Sequence, residues 1–468
     1  MKDITFERNQ EDAPSRDHMK VPTEKTERIS SLDFLRGFAL LGILALNIES
    51  FAGPESLHDI PVGLAKPAFV GWHAHLDLAI VTLKWLFFEA KMRGLFAMLF
   101  GAGVVLFCER LQRRGADAPV ADLYLRRCMW LMLFGLIHGA MIWGGDILLQ
   151  YALCGLIFLF PFRNLSAKRL ILTGSFIWLV GGTLGVFNFV DGAGALKKGA
   201  QMEEIHHIVA RGGVLNDEQK TMLKEEKDSA EGAAKKTEKR IQEATTGSYL
   251  EALPKHASGF FETISSIFFS GLVAEVIGAM LLGMGLYKAG FLTAKWRSRH
   301  YALVAAIGYS ISMPIVLFGI WKLQADQFSI LSAMKWMYFP YSVEQAFGTL
   351  ANVSVLILLS RLALFQPLMN GLASIGRMAF SNYILTSLVC QTVFIWSSLK
   401  LYGQLEYYQY MYVVFLMWAI NFVFSAIWLR VFNFGPLEWV WRSLTYWKRQ
   451  PLFKKKTAPK EDQLAWLP

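Results

Sequence analysis

Several groups able to do acid–base or anion-binding chemistry sit inside segments otherwise fit for lipid. In SLDFLRGFALLGILALNIESF (31–51), Asp33 and Arg36 stand three residues apart, so on a helix they share a face and can pair. Arg36 and Asn47 are eleven residues apart. Eleven steps of about 100° return a helix to within roughly 20° of its starting bearing, so the two share one stripe, about 16 Å apart along the axis. Ionisable groups inside a span usually face a cavity or a partner. Two plainer roles stay open: Arg36 snorkelling to headgroups, and Asn47 gluing two helices together.

A second set lies further along. His138 stands in GLIHGAMIWGGD, and Asp146 closes the Gly144-Gly145-Asp146 turn between two short apolar runs. A helix pair that short leaves its turn recessed below the membrane surface, and non-helical backbone at that depth lines a watery cavity or is buried by protein. Histidine is the commonest general base, although a histidine bonded to a neighbouring helix is also ordinary bundle glue. Eight residues apart, His138 and Asp146 meet only if the tertiary fold brings them together. The FEAKMRG stretch adds Glu89, Lys91 and Arg93 to the same outer layer. They serve either as interfacial salt bridges or as anchors for a polar or anionic acceptor.

The elements that hold these groups follow from composition. Of 468 residues, 54% are hydrophobic, 14% aromatic and only 18% charged, against about 25% charged in ordinary soluble domains. A soluble multi-domain enzyme is excluded, and so is disorder over most of the length. The formal net charge of +10 does not point to nucleic acid, because Lys and Arg gather in short loops on one side of a membrane. Neither a GxxxxGK[ST] loop nor a Rossmann glycine pattern is present, which disfavours nucleotide hydrolysis. Cys108, Cys128, Cys154 and Cys390 fall in or beside apolar runs without CxxC spacing. No metal site is expected: His73, His75 and the adjacent His206 and His207 follow no compact ligand pattern.

Apolar runs long enough to cross about 30 Å of hydrocarbon lie near 32–51, 94–111, 126–143, 147–162 and 169–189. Five more lie near 268–287, 302–321, 346–363, 379–398 and 409–430. The expectation is an all-α polytopic membrane protein with about ten transmembrane helices. Segment 75–90 carries Asp77, Lys84 and Glu89 and reads as a re-entrant or interfacial helix. Counting it as a full span would invert all that follows and break the positive-inside rule. The order is then a cytoplasmic tail (1–31), a five-span region (32–190), a charged extracytoplasmic helical insert (191–258), five more spans (259–430) and a cytoplasmic amphipathic tail (431–468). Both termini are expected in the cytoplasm. The segment GPLEWVWRSLTYWKRQ, with tryptophans among basic residues, reads as an interfacial helix.

LDFLRGFALLGILALNI resembles the start of the YeiB-like membrane proteins, a domain of unknown function. FEAKMRGLFAMLFGAG (88–103), GLIHGAMIWGGDILLQYALCG (135–155), GRMAFSNYILTSLV (376–389) and GPLEWVWRSLTYWKRQPL (435–452) resemble that family too. The LRG-plus-helix opening is further similar to the bacterial transmembrane acyltransferases and to heparan-α-glucosaminide N-acetyltransferase. In the O-acyltransferases a functional His follows the Arg by eleven positions, where this chain has Asn47; the heparan enzyme also has Asn there and its active His another eleven residues on. That offset falls on His58.

The resemblance implies an integral acyltransferase of the bacterial inner membrane, moving an acyl (acetyl) group from cytoplasmic acyl-CoA to an extracytoplasmic glycan, lipid headgroup or small polar acceptor. His58 or His138 would be the base or transient acyl acceptor, Asn47 would orient substrate or oxyanion, and Asp146 would orient a histidine. Arg36, Arg126, Arg127 and Arg377 would meet the acyl-CoA phosphates at a cytoplasmic mouth, though positive-inside topology alone also places arginines there. Lys91, Arg93 and Glu89 would hold the acceptor. A transporter or flippase is the alternative, with Asp33, Glu275, Glu344 and His138 as proton relay; no internal repeat supports it. A third reading is a structural or sensory protein with the insert as its binding part. Expected partners are membrane lipids, the acceptor and a second copy of the chain; the glycines at 271, 278 and 285 permit close helix contact, within one chain or between two.

Overall fold

A backbone in hydrocarbon has to satisfy its own hydrogen bonds, and the long apolar runs do so as helices. A computed structural model of the protein describes residues 30–54, 69, 71–113 and 119–454. The first membrane region comprises α1 (Ser30–Ala52), α2 (Ala74–Phe87), α3 (Lys91–Arg113), α4 (Pro119–Ile137), α5 (Leu148–Phe162) and α6 (Ala167–Phe189). The insert is built from α7 (Gly192–Ala210), α8 (Asp217–Thr246) and α9 (Tyr249–Phe269). The second region comprises α10 (Val273–Lys288), α11 (Ser298–Ala325), α12 (Tyr341–Leu359), α13 (Gln366–Arg377), α14 (Ala379–Trp396) and α15 (Tyr407–Val431), followed by the tail helix α16 (Pro436–Tyr446).

The protein is an all-α polytopic membrane protein. Among the described residues seven helices are long and apolar enough to cross a membrane, or eight if the bent pair α9–α10 forms one span. Each of the ten expected runs coincides with a helix, and α5 is a shorter apolar one. Two details differ from the expectation. The run at 268–287 begins only at Val273, because Gly271 takes φ +82° and the chain bends 69° between α9 and α10. The last helix of the insert, α9, runs past residue 258 to Phe269 and packs on the end of α4. Its solvated part is pinned by the Glu243–Lys255 ion pair at 2.6 Å, and that hydrogen bond holds the exposed Glu243 carboxyl below its usual range.

α2 and α3 form one 40-residue stretch broken at Phe88–Ala90, where Ala90 adopts φ +59°. At 1.5 Å per residue the 14-residue α2 is only about 21 Å long, too short to cross alone. Close packing elsewhere depends on glycine. A Cβ on Gly37 would lie 2.0 Å from the Leu372 carbonyl, and one on Gly376 would lie 1.9 Å from the Asp33 carbonyl, so α1 and α13 touch backbone to backbone. Of the glycines that permit close helix contact, two are used inside the chain: Gly278 and Gly285 of α10 press on Trp178 and Ile171 of α6.

Candidate functional site

Along α1 the buried side chains leave two spaces. The larger, about 280 Å³, is lined at one end by Asp33, Arg36, Arg110, Arg127, Arg377, Glu438 and Arg442, and at the other by Phe96, Phe100, Ile147, Tyr151 and Tyr383. Five arginines against two carboxylates make that end strongly basic. A smaller recess of about 10 Å³, room for about one water, lies further along α1 between Asn47, Phe51, Trp143, Thr386, Ser387 and Tyr383. Asn47 therefore belongs to a different space from Arg36, as their separation along the helix dictates.

The basic end is assembled by five helices, α1, α3, α4, α13 and α16. Arg36 donates to Asp33 Oδ1 at 3.2 Å and reaches the Gly376 carbonyl at 3.5 Å. The Arg127 guanidinium lies 3.7 Å over the Trp441 ring, and Trp441 Nε1 donates to the Arg127 carbonyl at 2.9 Å, which docks α16 on α4. Arg377 also lines this end, and its buried Nε has no hydrogen-bond partner. Glu438 fixes the tail helix: one oxygen accepts the Phe380 N–H at 2.7 Å and the Ser381 N–H at 3.1 Å, at the start of α14. Its other oxygen accepts the Ser381 hydroxyl at 2.5 Å. Arg126 is not part of the cavity; it pairs with Asp122, donates to the Thr445 carbonyl at 3.3 Å and lies 5.6 Å from the Trp447 ring. Arg126 and Arg127 are adjacent and point about 100° apart on a helix, so only one can face inward.

Beyond the other end lies the His138–Asp146 pair. α4 loosens into one π-helical turn over His138–Ile142, a feature frequent at functional sites, and the chain reverses through Gly144–Gly145. The reversal brings His138 Nδ1 to 2.8 Å from Asp146 Oδ1, while Asp146 Oδ2 accepts the Leu149 N–H at 2.8 Å and so caps α5. A Cβ on Gly135 would lie 2.9 Å from that carboxylate and 2.3 Å from the Leu149 nitrogen, which is why glycine stands there. With Nδ1–H donated to the carboxylate, the lone pair of a neutral imidazole is on Nε2. His138 is 1% exposed and its Nε2 has no partner. The ring packs 5.0 Å from Tyr383 and 6.3 Å from Trp143. Trp143 in turn stacks on Phe51 at 4.2 Å and donates to the Ser50 hydroxyl at 3.0 Å, tying the turn to α1.

Residues 286–448 match a family model described as a protein of unknown function (DUF418). The chain is 31% identical over 441 residues to the uncharacterized protein YeiB of Escherichia coli, covering 92% of this chain and 99% of that relative. It is 30% identical over 447 residues to the uncharacterized protein YxaH of Bacillus subtilis, covering 93% and 98% respectively. The chain belongs to the YeiB-like family. No solved structure matches it.

In this YeiB-like protein the remaining candidates fall elsewhere. Glu89, Lys91 and Arg93 do come together, in a buried ion-pair network that lines neither cavity. Lys91, with no exposed surface, pairs with Glu344 and donates to the Trp85 carbonyl at 2.7 Å. Arg93 holds Glu275 through bonds of 3.0 and 3.3 Å and donates to the Tyr341 hydroxyl at 3.2 Å, which in turn donates its O–H to Glu89 Oε1 at 3.3 Å. Gln345 bridges Glu275 and Trp178. The carboxylates expected as a proton relay are thus paired with cations, and Asp33 with Arg36. His73 pairs with Asp77 at 2.7 Å, and the exposed His206 reaches Glu226 at 3.2 Å. His58 lies outside the described residues.

Sequence reasoning missed several residues of the site. Arg110 and Arg442 carry no signal in the sequence beyond the basic character of their segments, and Tyr383 carries no charge to draw notice. His256 sits on α9 and hydrogen-bonds the backbone of Gly139, next to His138 in space although 118 residues away. Only the helix packing reveals it.

Proposed function

We propose that this YeiB-like protein is a membrane acyltransferase that moves an acyl group from acyl-CoA, bound at the basic end of the large cavity, to an acceptor on the opposite face. One observation carries the reading: a carboxylate-backed histidine with an unpartnered Nε2 packs against Tyr383, which lines the far end of a cavity whose other end holds five arginines. Guanidinium groups suit the diphosphate and 3′-phosphate of coenzyme A, and the aromatic depth suits its thioester arm. By the positive-inside rule the basic end, both termini and α16 face the cytoplasm of a bacterial inner membrane, and the insert faces outward.

In the transfer, His138 Nε2 takes the proton of an acceptor hydroxyl or amine as its oxygen or nitrogen bonds to the thioester carbonyl carbon. The carbon–sulfur bond breaks and the departing thiolate takes the proton from the imidazolium. Asp146 holds Nδ1–H in place and steadies the transient positive charge. In the covalent variant, Nε2 first attacks the thioester carbon and takes the acyl group as the coenzyme A thiolate leaves; the acceptor then displaces the imidazole and its proton goes to the thiolate. Asn47, in the recess beyond Tyr383, meets the acceptor side.

The test is acetyl-coenzyme A binding to detergent-purified protein by calorimetry, for wild type and Arg36→Ala. Saturable micromolar binding that the substitution weakens supports the reading and opens an acceptor screen with His138→Ala and His58→Ala. Absence of binding at millimolar ligand, with the protein folded, turns the reading to transport of a small polar or lipid-linked substrate through the same cavity.

A further inference from the structure

Tyr383 is the one side chain, among the described residues, that lines both spaces. On α14, Ala379 and Phe380 face the large cavity, Thr386 and Ser387 face the recess, and Tyr383 stands between them. On α1 the same division falls between Arg36 and Leu40. Tyr383 therefore stands between the basic-side cavity and the recess of Asn47.

We propose that the Tyr383 side chain is a movable partition, closed in this structure, whose displacement joins the two spaces beside His138. Its contacts suit such a part. The ring lies 5.0 Å from the His138 ring, so whatever moves it uncovers the imidazole. Its hydroxyl accepts the Ile147 N–H at 3.3 Å, longer than the usual 2.7–3.2 Å. Ile147 directly follows Asp146, so this weak latch fastens the ring to the same turn that positions the dyad. Polar groups wait on both sides: Asn47, Thr386 and Ser387 beyond the ring, Tyr151 and the arginines before it.

Closed, the ring keeps water from running between the two faces of the membrane and from reaching the thioester. Open, it lets the acyl end of a donor in the large cavity meet Nε2 and an acceptor that arrives from the Asn47 side. This catalytic use rests on the proposed acyl transfer; the partition itself does not.

The experiment needs no acyl donor. Ser387→Cys reports on the recess, and Gly103→Cys reports on the large cavity, where a side chain at 103 meets nothing within 4 Å. The four native cysteines are buried, but Cys128 lines the large cavity, so Cys128→Ala is the background in which both reporters are placed. Inverted membrane vesicles present the basic face to a negatively charged, membrane-impermeant methanethiosulfonate. Gly103→Cys is expected to react with Tyr383 in place, while Ser387→Cys is protected. Adding Tyr383→Ala is expected to raise the Ser387→Cys rate at least tenfold, and Tyr383→Phe to leave it protected, because the ring forms the wall. Tyr383→Leu replaces the alanine variant if that one does not fold. Equal reactivity of Ser387→Cys with tyrosine and with the truncated residue overturns the proposal. So does protection of Gly103→Cys, which would mean that the large cavity is closed to that face. Failure of acetyl-coenzyme A to bind the wild type would defeat the acyl-transfer reading and leave the labelling result standing.

Discussion

His138 Nδ1 and Asp146 Oδ1 lie 2.8 Å apart across the turn that joins α4 to α5. The carboxylate's second oxygen holds the Leu149 N–H, so Asp146 serves the histidine and the helix start together. His138→Ala is expected to abolish acyl transfer while leaving acetyl-coenzyme A binding within about twofold, since loss of a general base costs roughly 10²–10⁴-fold in rate. Asp146→Ala should lower transfer as well, and should also reduce stability by about 1 kcal/mol through the lost cap. Calorimetry for binding, radiolabel transfer for rate and thermal unfolding for stability separate the three effects.

Arg127 and Arg126 make a matched pair of opposite orientation. Arg127→Ala removes a cavity cation and its stacking on Trp441. Its acetyl-coenzyme A dissociation constant should rise about tenfold, equivalent to about 1.4 kcal/mol. Arg126→Ala should change it by less than about twofold. Calorimetry on both variants checks this, and equal effects would mean that general basicity, and not the cavity, binds the donor.

Lys91 and Glu344 form a buried pair at the start of α3 and α12. Removing one partner leaves the other charge buried alone, which costs about 3–5 kcal/mol. Lys91→Ala and Glu344→Ala should each lower the unfolding temperature strongly, and Lys91→Met combined with Glu344→Leu should recover much of the loss. Acetyl-coenzyme A binding by the folded double variant should be retained, because the pair lines neither cavity.

Glu438 anchors α16 to α14 through three accepted hydrogen bonds. Glu438→Ala leaves the Phe380 and Ser381 N–H groups unpaired, and hydrogen bonds to a charged group are worth about 1.5–3 kcal/mol. The tail should then come free and be cut earlier by trypsin at Arg442 and Arg449. Glu438→Gln keeps an acceptor oxygen and should resist longer. A time course of limited proteolysis on the three proteins decides it.

Much of this architecture was legible in the chain. Apolar runs fix helices because hydrocarbon permits little else, and the ten runs fall on helices in the structure. Spacing on one helix was equally readable: Asp33 pairs with Arg36 three residues on, and Asn47 stands well up α1 from both. The break at Gly271 was not, since a glycine inside an apolar run is also compatible with straight helix packing.

The tertiary structure alone decided which polar residues meet. Periodicity says which face a residue occupies and nothing about the helix opposite. Glu344 and Glu275 look like free intramembrane acids in the sequence and prove to be the partners of Lys91 and Arg93. Adjacent Arg126 and Arg127 look equivalent and face different surroundings. Tyr383 acquires its place only because α1, α14 and the turn after α4 converge on one ring. Burial in a low-dielectric interior makes such pairings obligatory, but their identity depends on contacts hundreds of residues apart, and these exist only once the bundle is closed.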